Sequence, residues 1–273
     1  MTNKNNSKFK LSKWYLDCIS EKGDVIIVYS AELRWNKIVI PYNSVLVYNS
    51  DGNTILKKSR FNRKATPQQN EEQINLVDPV FGFEGNWGLD HSPLNIKIYE
   101  STDGFLSWHC FQPRSKVRLK IKNIGSFTGF GYAEKLDMTI EPWKIPMNQI
   151  RWGRYNSATD NMVWIELDAD PDKQWVWYNG ELSRMAEICD DSVLIPDIDL
   201  KITFTETRII EAEKKISNVV GSLLSYIPGI NKSIPLSFLN ARETKWLSCG
   251  ELIKNGEIHS LGWAIHEHVD FRK

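Results

Sequence analysis

At 273 residues the chain has room for one large domain or two modest ones, and 41% hydrophobic with 25% charged residues is ordinary for a globular protein. Its 34 basic and 34 acidic residues cancel, so no overall field draws it to nucleic acid or to an anionic membrane surface. No segment reaches the roughly 18 apolar residues of a membrane span, so no stable membrane insertion is expected.

The N-terminal stretch MTNKNNSKFKLSKWYLDC contains no apolar run able to serve as a signal-peptide core, and the chain reads as cytoplasmic. From there period-two alternation dominates. Strands are predicted at 14–19 and 25–35 around a turn at Glu21-Lys22-Gly23-Asp24. A third at 38–48 is interrupted by Pro41, and Asn49-Ser50-Asp51-Gly52-Asn53 is a hairpin turn into 55–61. A polar loop follows at 62–72. Further strands are expected at 73–76, 94–100, 106–111, 116–122 and 127–140, with a glycine-rich loop at 84–89.

Beyond the proline-rich seam at 142–146, strands are predicted at 149–155, 161–168 and 174–178, followed by an Asn179-Gly180 hairpin turn. Others follow at 181–189, 200–208, 245–253 and 257–271. One segment departs from the pattern. Residues 209–227 place apolar side chains at 216, 219, 220, 223 and 224, the spacing of an amphipathic helix closed by Pro228-Gly229. Closely spaced strands without alternating helices make an all-β protein of antiparallel sheet.

Two stretches rhyme. Gly131-Tyr132-Ala133-Glu134 lies in a long strand after Trp108-His109-Cys110, and Gly262-Trp263-Ala264 with Glu267 lies in another after Trp246-Leu247-Ser248-Cys249. The repeat divides the chain into an N-terminal domain, 1–140, and a C-terminal domain, 141–273. Alternation puts Tyr132, Glu134, Leu136 and Met138 on one strand face, and Trp263, Ile265, Glu267 and Val269 on another. Each half thus sets one glutamate on an apolar face. Such a carboxylate must find a partner or keep its proton. As an acid it suits proton transfer; paired with Arg34, Arg151 or Arg154 it ties the halves together.

Eleven tryptophans fit an aromatic cavity for a ligand, and equally a tryptophan-rich core without one. Cys18, Cys110, Cys189 and Cys249 form no CxxC pair, so they read as buried free thiols. His266 and His268 share a strand face that reads as polar and exposed, and without a third ligand no metal is expected. His109, between Trp108 and Cys110, reads as an inward-facing histidine, and Asp90-His91 borders the glycine-rich loop. Asp17 is a further carboxylate among apolar neighbours. Hydrolase, nucleotide and zinc-protease motifs are absent.

Trp14-Tyr15-Leu16-Asp17, Tyr29-Ser30-Ala31-Glu32-Leu33-Arg34-Trp35, Gly131-Tyr132-Ala133-Glu134 and Arg151-Trp152-Gly153-Arg154-Tyr155 with Val163-Trp164-Ile165 together resemble the lipocalin-like AttH and carotenoid 1,2-hydratase (hydroxyneurosporene synthase) superfamily. The resemblance implies two consecutive lipocalin-like (calycin) β-barrels, to which the spacing at 209–227 adds one short helix in the second half. It also implies a cavity inside or between the barrels for a polyene, terpenoid, polyketide or lipid-like molecule. The implied chemistry is hydration, isomerisation or cyclisation without a redox cofactor. Asp17, Tyr132, Glu134, Trp152 and Arg154 are the positions it marks.

Joined to the residue patterns, it makes Glu134 or Asp17 the acid and His109 a base. Trp108, Trp152 and Tyr132 would stabilise positive charge, Arg154 would orient a substrate oxygen, and Asp90 and His91 would border the ligand. A non-catalytic carrier of a lipid or pigment has the same cavity. A carbohydrate-binding module would instead show tryptophans on a flat outer surface.

Overall fold

The computed structural model describes residues 8–61, 65–168, 173–215 and 234–272. In the first half the strands are β1 (Phe9–Ser20), β2 (Val25–Trp35), β3 (Ile38–Tyr48), β4 (Thr54–Arg60), β5 (Gln68–Gln69), β6 (Gln73–Asp78), β7 (Phe83–Gly88), β8 (Leu94–Ser101), β9 (Gly104–Ile121) and β10 (Gly125–Met138). In the second half they are β11 (Gln149–Ser157), β12 (Asn161–Leu167), β13 (Gln174–Tyr178), β14 (Glu181–Ser183), β15 (Glu187–Ile188), β16 (Ser192–Ile195), β17 (Leu200–Lys215), β18 (Arg242–Lys254) and β19 (Glu257–Asp270). A single 3₁₀ turn, Pro142–Lys144, occupies the seam, and one short helix, α1 (Leu236–Asn240), precedes β18.

All ladders are antiparallel, in two sheets with the same plan. The first runs β4-β3-β2-β1-β10-β9-β7-β6-β5, with β8 added on β9; the second runs β14-β13-β12-β11-β19-β18-β17-β16-β15. In each, the first strand of the half pairs with the last, as in an up-and-down barrel. The sheets curl. Val45 and Val47 of β3 share one buried cluster with Ile74 and Leu76 of β6, from the other arm of the strand order. Val176 of β13 likewise meets Ile188 of β15 and Val193 of β16. Trp87 and Trp164 fill these two interiors and are essentially inaccessible to water.

Closing the curl needs glycine where first and last strands cross. A β-carbon on Gly131 would be driven into the carbonyl oxygen of Asp17, and one on Gly262 into that of Asn156. Gly262→Ala is therefore expected to cost about 2–3 kcal/mol by forcing β11 and β19 apart. A lowered urea midpoint at unchanged slope is the check.

Several expectations change against these strands. The predicted helix at 209–227 opens inside β17, so 209–215 is strand; its remainder, with Pro228-Gly229, lies outside the described residues. Helix α1 lies farther on, at Leu236–Asn240. The glycine-rich loop is strand β7, paired with both β6 and β9. Its Gly85 is there for space, since a β-carbon would stand 2.6 Å from Leu119 and 2.8 Å from the Trp87 ring. The strands expected at 106–111 and 116–122 are one strand, β9. Pro113 is accommodated where the β9–β10 register shifts between Gly131 and Ala133, so its missing N–H breaks no ladder.

A third apolar cluster lies between the outer faces of the two sheets. Tyr15, Ile27, Trp108, Cys110 and Tyr132 of the first half pack there with Trp152, Val163, Trp175, Trp177, Leu247 and Ile265 of the second. Alternation decides which residues go where. On β1, Trp14, Leu16 and Cys18 turn inward while Tyr15 and Ile19 face the junction. Of the eleven tryptophans seven are buried and four half-buried, so none offers the flat exposed platform of a carbohydrate-binding surface. The free thiols are likewise not uniformly buried: Cys189 is exposed and Cys249 intermediate.

Candidate functional site between the two sheets

Two cross-strand rows meet at the junction. In the first sheet Tyr29, Tyr15, Glu134 and Cys110 stand opposite one another on β2, β1, β10 and β9. In the second, Ile165, Trp152, Glu267, Lys245 and Glu211 do so on β12, β11, β19, β18 and β17. Directly opposed side chains in antiparallel sheet lie about 5 Å apart, so each row is a short strip of chemistry. The strips touch. The rings of Tyr15 and Trp152 are edge-on at 5.2 Å, those of Tyr132 and Trp152 at 5.5 Å, and Trp108 stacks on Trp177 at 5.1 Å.

Glu134 is half-buried in this aromatic setting. Its Oε2 accepts hydrogen bonds from the Tyr132 hydroxyl at 2.6 Å and from the Trp108 indole N–H. Oε1 takes no hydrogen bond from the described residues and is not sealed from water. Burial pushes the carboxyl up to about 6, against the two donors that favour its charge. It is therefore oriented through one oxygen and open at the other.

Asp17 has a different fate. Fully buried, it receives Arg154 Nη2 at 2.6 Å and Nε at 3.1 Å, and Tyr15 donates to it at 3.0 Å. Burial raises its pKa while the guanidinium and the phenol pull it back. Both oxygens are occupied by an always-charged, bidentate partner, so Asp17 is no free acid. Arg154 is equally committed and has no fork left for a substrate oxygen. Together they pin β1 to β11.

Glu267 finds none of the expected arginines. Its partner is Lys245, at 3.0 Å. Arg151 instead pairs with Glu166 and Asp190, and Arg34 with Glu32. Lys245 is almost fully buried, and Glu243 at 3.2 Å, Glu211 at 3.6 Å and the Tyr29 hydroxyl at 2.8 Å complete its surroundings. Burial opposes its charge, yet the three carboxylates hold its pKa well above the ordinary lysine value. Lys245, Tyr15 and Tyr29 were not singled out by sequence reasoning. The available signal was parity: Lys245 shares a strand face with Leu247, as Tyr15 does with Asp17.

Three expected members lie elsewhere. His109 faces away from Trp108 and Cys110, because neighbours on a strand point to opposite sides, and its ring meets Asn95 at 2.8 Å. Asp90 and His91 give their backbone N–H groups to Gln112, and the His91 ring meets Arg114 at 3.2 Å. They brace a loop and make no contact with Glu134 among the described residues. The inward histidine is His266, corrected from an exposed face. It stacks on Phe204 and Trp246, bonds Ser248 at 2.9 Å, and burial lowers its pKa to about 4. No three His, Cys, Asp or Glu converge as a metal site among the described residues.

Trp152 adds one feature of note. It is 7% exposed and its indole N–H is buried without a hydrogen-bond partner. An orphaned donor costs about 1–3 kcal/mol, and here it lies beside Tyr15 and Tyr132.

No family model matches the chain, and no curated protein matches it in sequence. Solved structures match it in fold. A protein from Nitrosomonas europaea described as an AttH covers 98% of the chain, with 94% of its own length, at 7% identity and a TM-score of 0.53. Kievitone hydratase from Nectria haematococca covers 97%, with 90% of its own length, at 10% identity and a TM-score of 0.50. CghA covers 96%, with 88% of its own length, at 9% identity and a TM-score of 0.50. At such identities the likeness is one of fold, and it is the fold that the sequence resemblance implied. No helix among the described residues is long and apolar enough to cross a membrane.

Proposed function

We propose that the chain is a cofactor-independent enzyme of the hydratase, isomerase or cyclase type, acting on an apolar unsaturated small molecule held between the outer faces of its two halves, 1–140 and 141–273. Glu134 carries the reading. A carboxyl near pKa 6, fixed through Oε2 and open at Oε1, holds both protonation states close to neutrality, where general acid and general base are both available. Trp108 and Tyr132, which turn their donor edges to it, and Trp152, edge-on to Tyr132, make an aromatic surround suited to positive charge on a reacting carbon.

In a hydration, Glu134 gives a proton to one alkene carbon and takes one from the water that bonds to the other, in whichever order the substrate's electronics favour. Isomerisation and cyclisation need the same proton delivered and recovered without the water. Asp17 and Arg154 hold the two rows in place and take no part in the transfer. That one protein sharing the fold is a hydratase supports the reading.

The test is incubation of the protein with a panel of apolar polyenes, terpenoids and aryl alkenes in D₂O, followed by mass spectrometry. Products isomeric with the added compound or one water heavier, carrying carbon-bound deuterium, are expected. Recovery of bound but unmodified compounds, with binding unchanged in Glu134→Gln, would establish the carrier instead.

A further inference from the structure

Glu134 accounts for one end of the junction. The other end is built around Tyr29, which nothing in the proton transfer yet uses. The Tyr29 oxygen accepts a hydrogen bond from Lys245 Nζ at 2.8 Å. A phenol has one proton to give and lone pairs to receive. Here a lone pair is taken by an ammonium group, and the proton has no acceptor among the described residues. Tyr29 is half-buried, and Lys245 beneath it is sealed from water by Tyr15 and Tyr29, whose rings lie 5.8 and 5.6 Å from its nitrogen. Three carboxylates keep that ammonium charged.

We infer that Tyr29, backed by Lys245, is the donor that binds and protonates a carbonyl oxygen of the substrate, which makes the substrate class α,β-unsaturated carbonyl compounds. The inference rests on the Glu134 reading above and adds to it the polar end of the molecule. Tyr29 and Glu134 flank Tyr15 in one cross-strand row, two strand spacings or about 10 Å apart at their backbones. Tyr15 leans its hydroxyl along the strand onto Asp17, away from that span. Trp152, with its unpartnered indole N–H, faces the same row from the second sheet.

The chemistry closes. Glu134 takes a proton from water as the water oxygen bonds to the β-carbon. The π electrons move to the carbonyl oxygen, which takes the Tyr29 proton while Lys245 holds the phenolate. Glu134 then returns its proton to the α-carbon as the enol proton goes back to Tyr29, and one water has been added. A preorganised donor aimed at an oxygen that gains charge is what such a step requires.

The experiment uses two probes of similar shape, chalcone with its carbonyl and stilbene without one, titrated against the intrinsic tryptophan fluorescence of the full chain. Wild type is expected to bind chalcone about tenfold more tightly than stilbene, the effect of one charge-assisted hydrogen bond. Tyr29→Phe keeps the ring and is expected to erase the preference, while Glu134→Gln keeps it. Should Tyr29→Phe fail to fold, 3-fluorotyrosine at position 29, a more acidic phenol, is expected to widen it. Equal binding of the two compounds by wild type, binding of neither, or a preference that survives in Tyr29→Phe overturns the inference. Full activity in Glu134→Gln with the preference intact would sink the Glu134 reading and leave Tyr29 standing.

Discussion

Replacing Glu134 by glutamine is expected to lower kcat/KM about 10³-fold on any compound the wild type converts, within the range that a positioned acid–base group contributes. Glutamine keeps an oxygen for the Tyr132 and Trp108 donors, so the loss belongs to the proton and not to the fold. The pH profile adds a second readout, since the wild type should show an inflection near 6 that the variant lacks. Stability changes as well. The folded-state pKa is raised from 4.5 to about 6, so between those values the native state binds more proton than the unfolded chain. Stability is then fully present below pH 4.5 and falls as pH rises through 6, by up to about 2 kcal/mol. Urea titrations at pH 4.5 and 6.5 should show that fall in the wild type and a smaller one in Glu134→Gln. Equal activity and equal slopes would show Glu134 to be a bystander.

Breaking the pair between the halves has the larger effect on stability. Arg154→Met leaves Asp17 ionisable, buried and without its bidentate partner, and Asp17→Leu leaves a guanidinium in the same position. Each single change is expected to cost about 3–5 kcal/mol, a large share of the 5–15 kcal/mol available to most domains. The double variant should recover most of the loss, because two apolar side chains at a fully buried site often match a buried ion pair. A double-mutant cycle measured by urea denaturation gives the coupling. If the single variants unfold at the wild-type midpoint, the pair contributes neither stability nor registry.

The architecture was legible because alternation is short-range. Alternation in Trp14 to Ile19 and Phe130 to Met138 shows which residues share a face, though not which face is inward: the larger apolar face of β10, with Tyr132 and Met138, meets the other half, and Ala133 turns to the interior. The turns at Asn49 to Asn53 and Asn179-Gly180 mark where chains reverse. What escaped depended on partners distant in sequence. Lys245 meets Tyr29 across 216 residues and Arg154 meets Asp17 across 137, and no local pattern records such pairings. Glu134 was readable as a carboxylate on an apolar face, but its separation from Asp17, one free and one locked, comes only from Arg154 lying opposite. Residues 84–89 failed for a local reason: glycines that usually signal a loop were needed so that Trp87 could lie over Gly85.

Trp87 and Trp164 lie inside the two curled sheets, while Tyr15, Asp17 and Glu134 stand on the outward side of their strands. Odd and even positions along a strand such as β1 therefore answer to different neighbours. Leu16 and Cys18 pack within their own half, whereas Tyr15 and Asp17 also meet the facing half, through Trp152 and Arg154. A substitution at Leu16 is thus absorbed inside one half, and one at Tyr15 is felt by both.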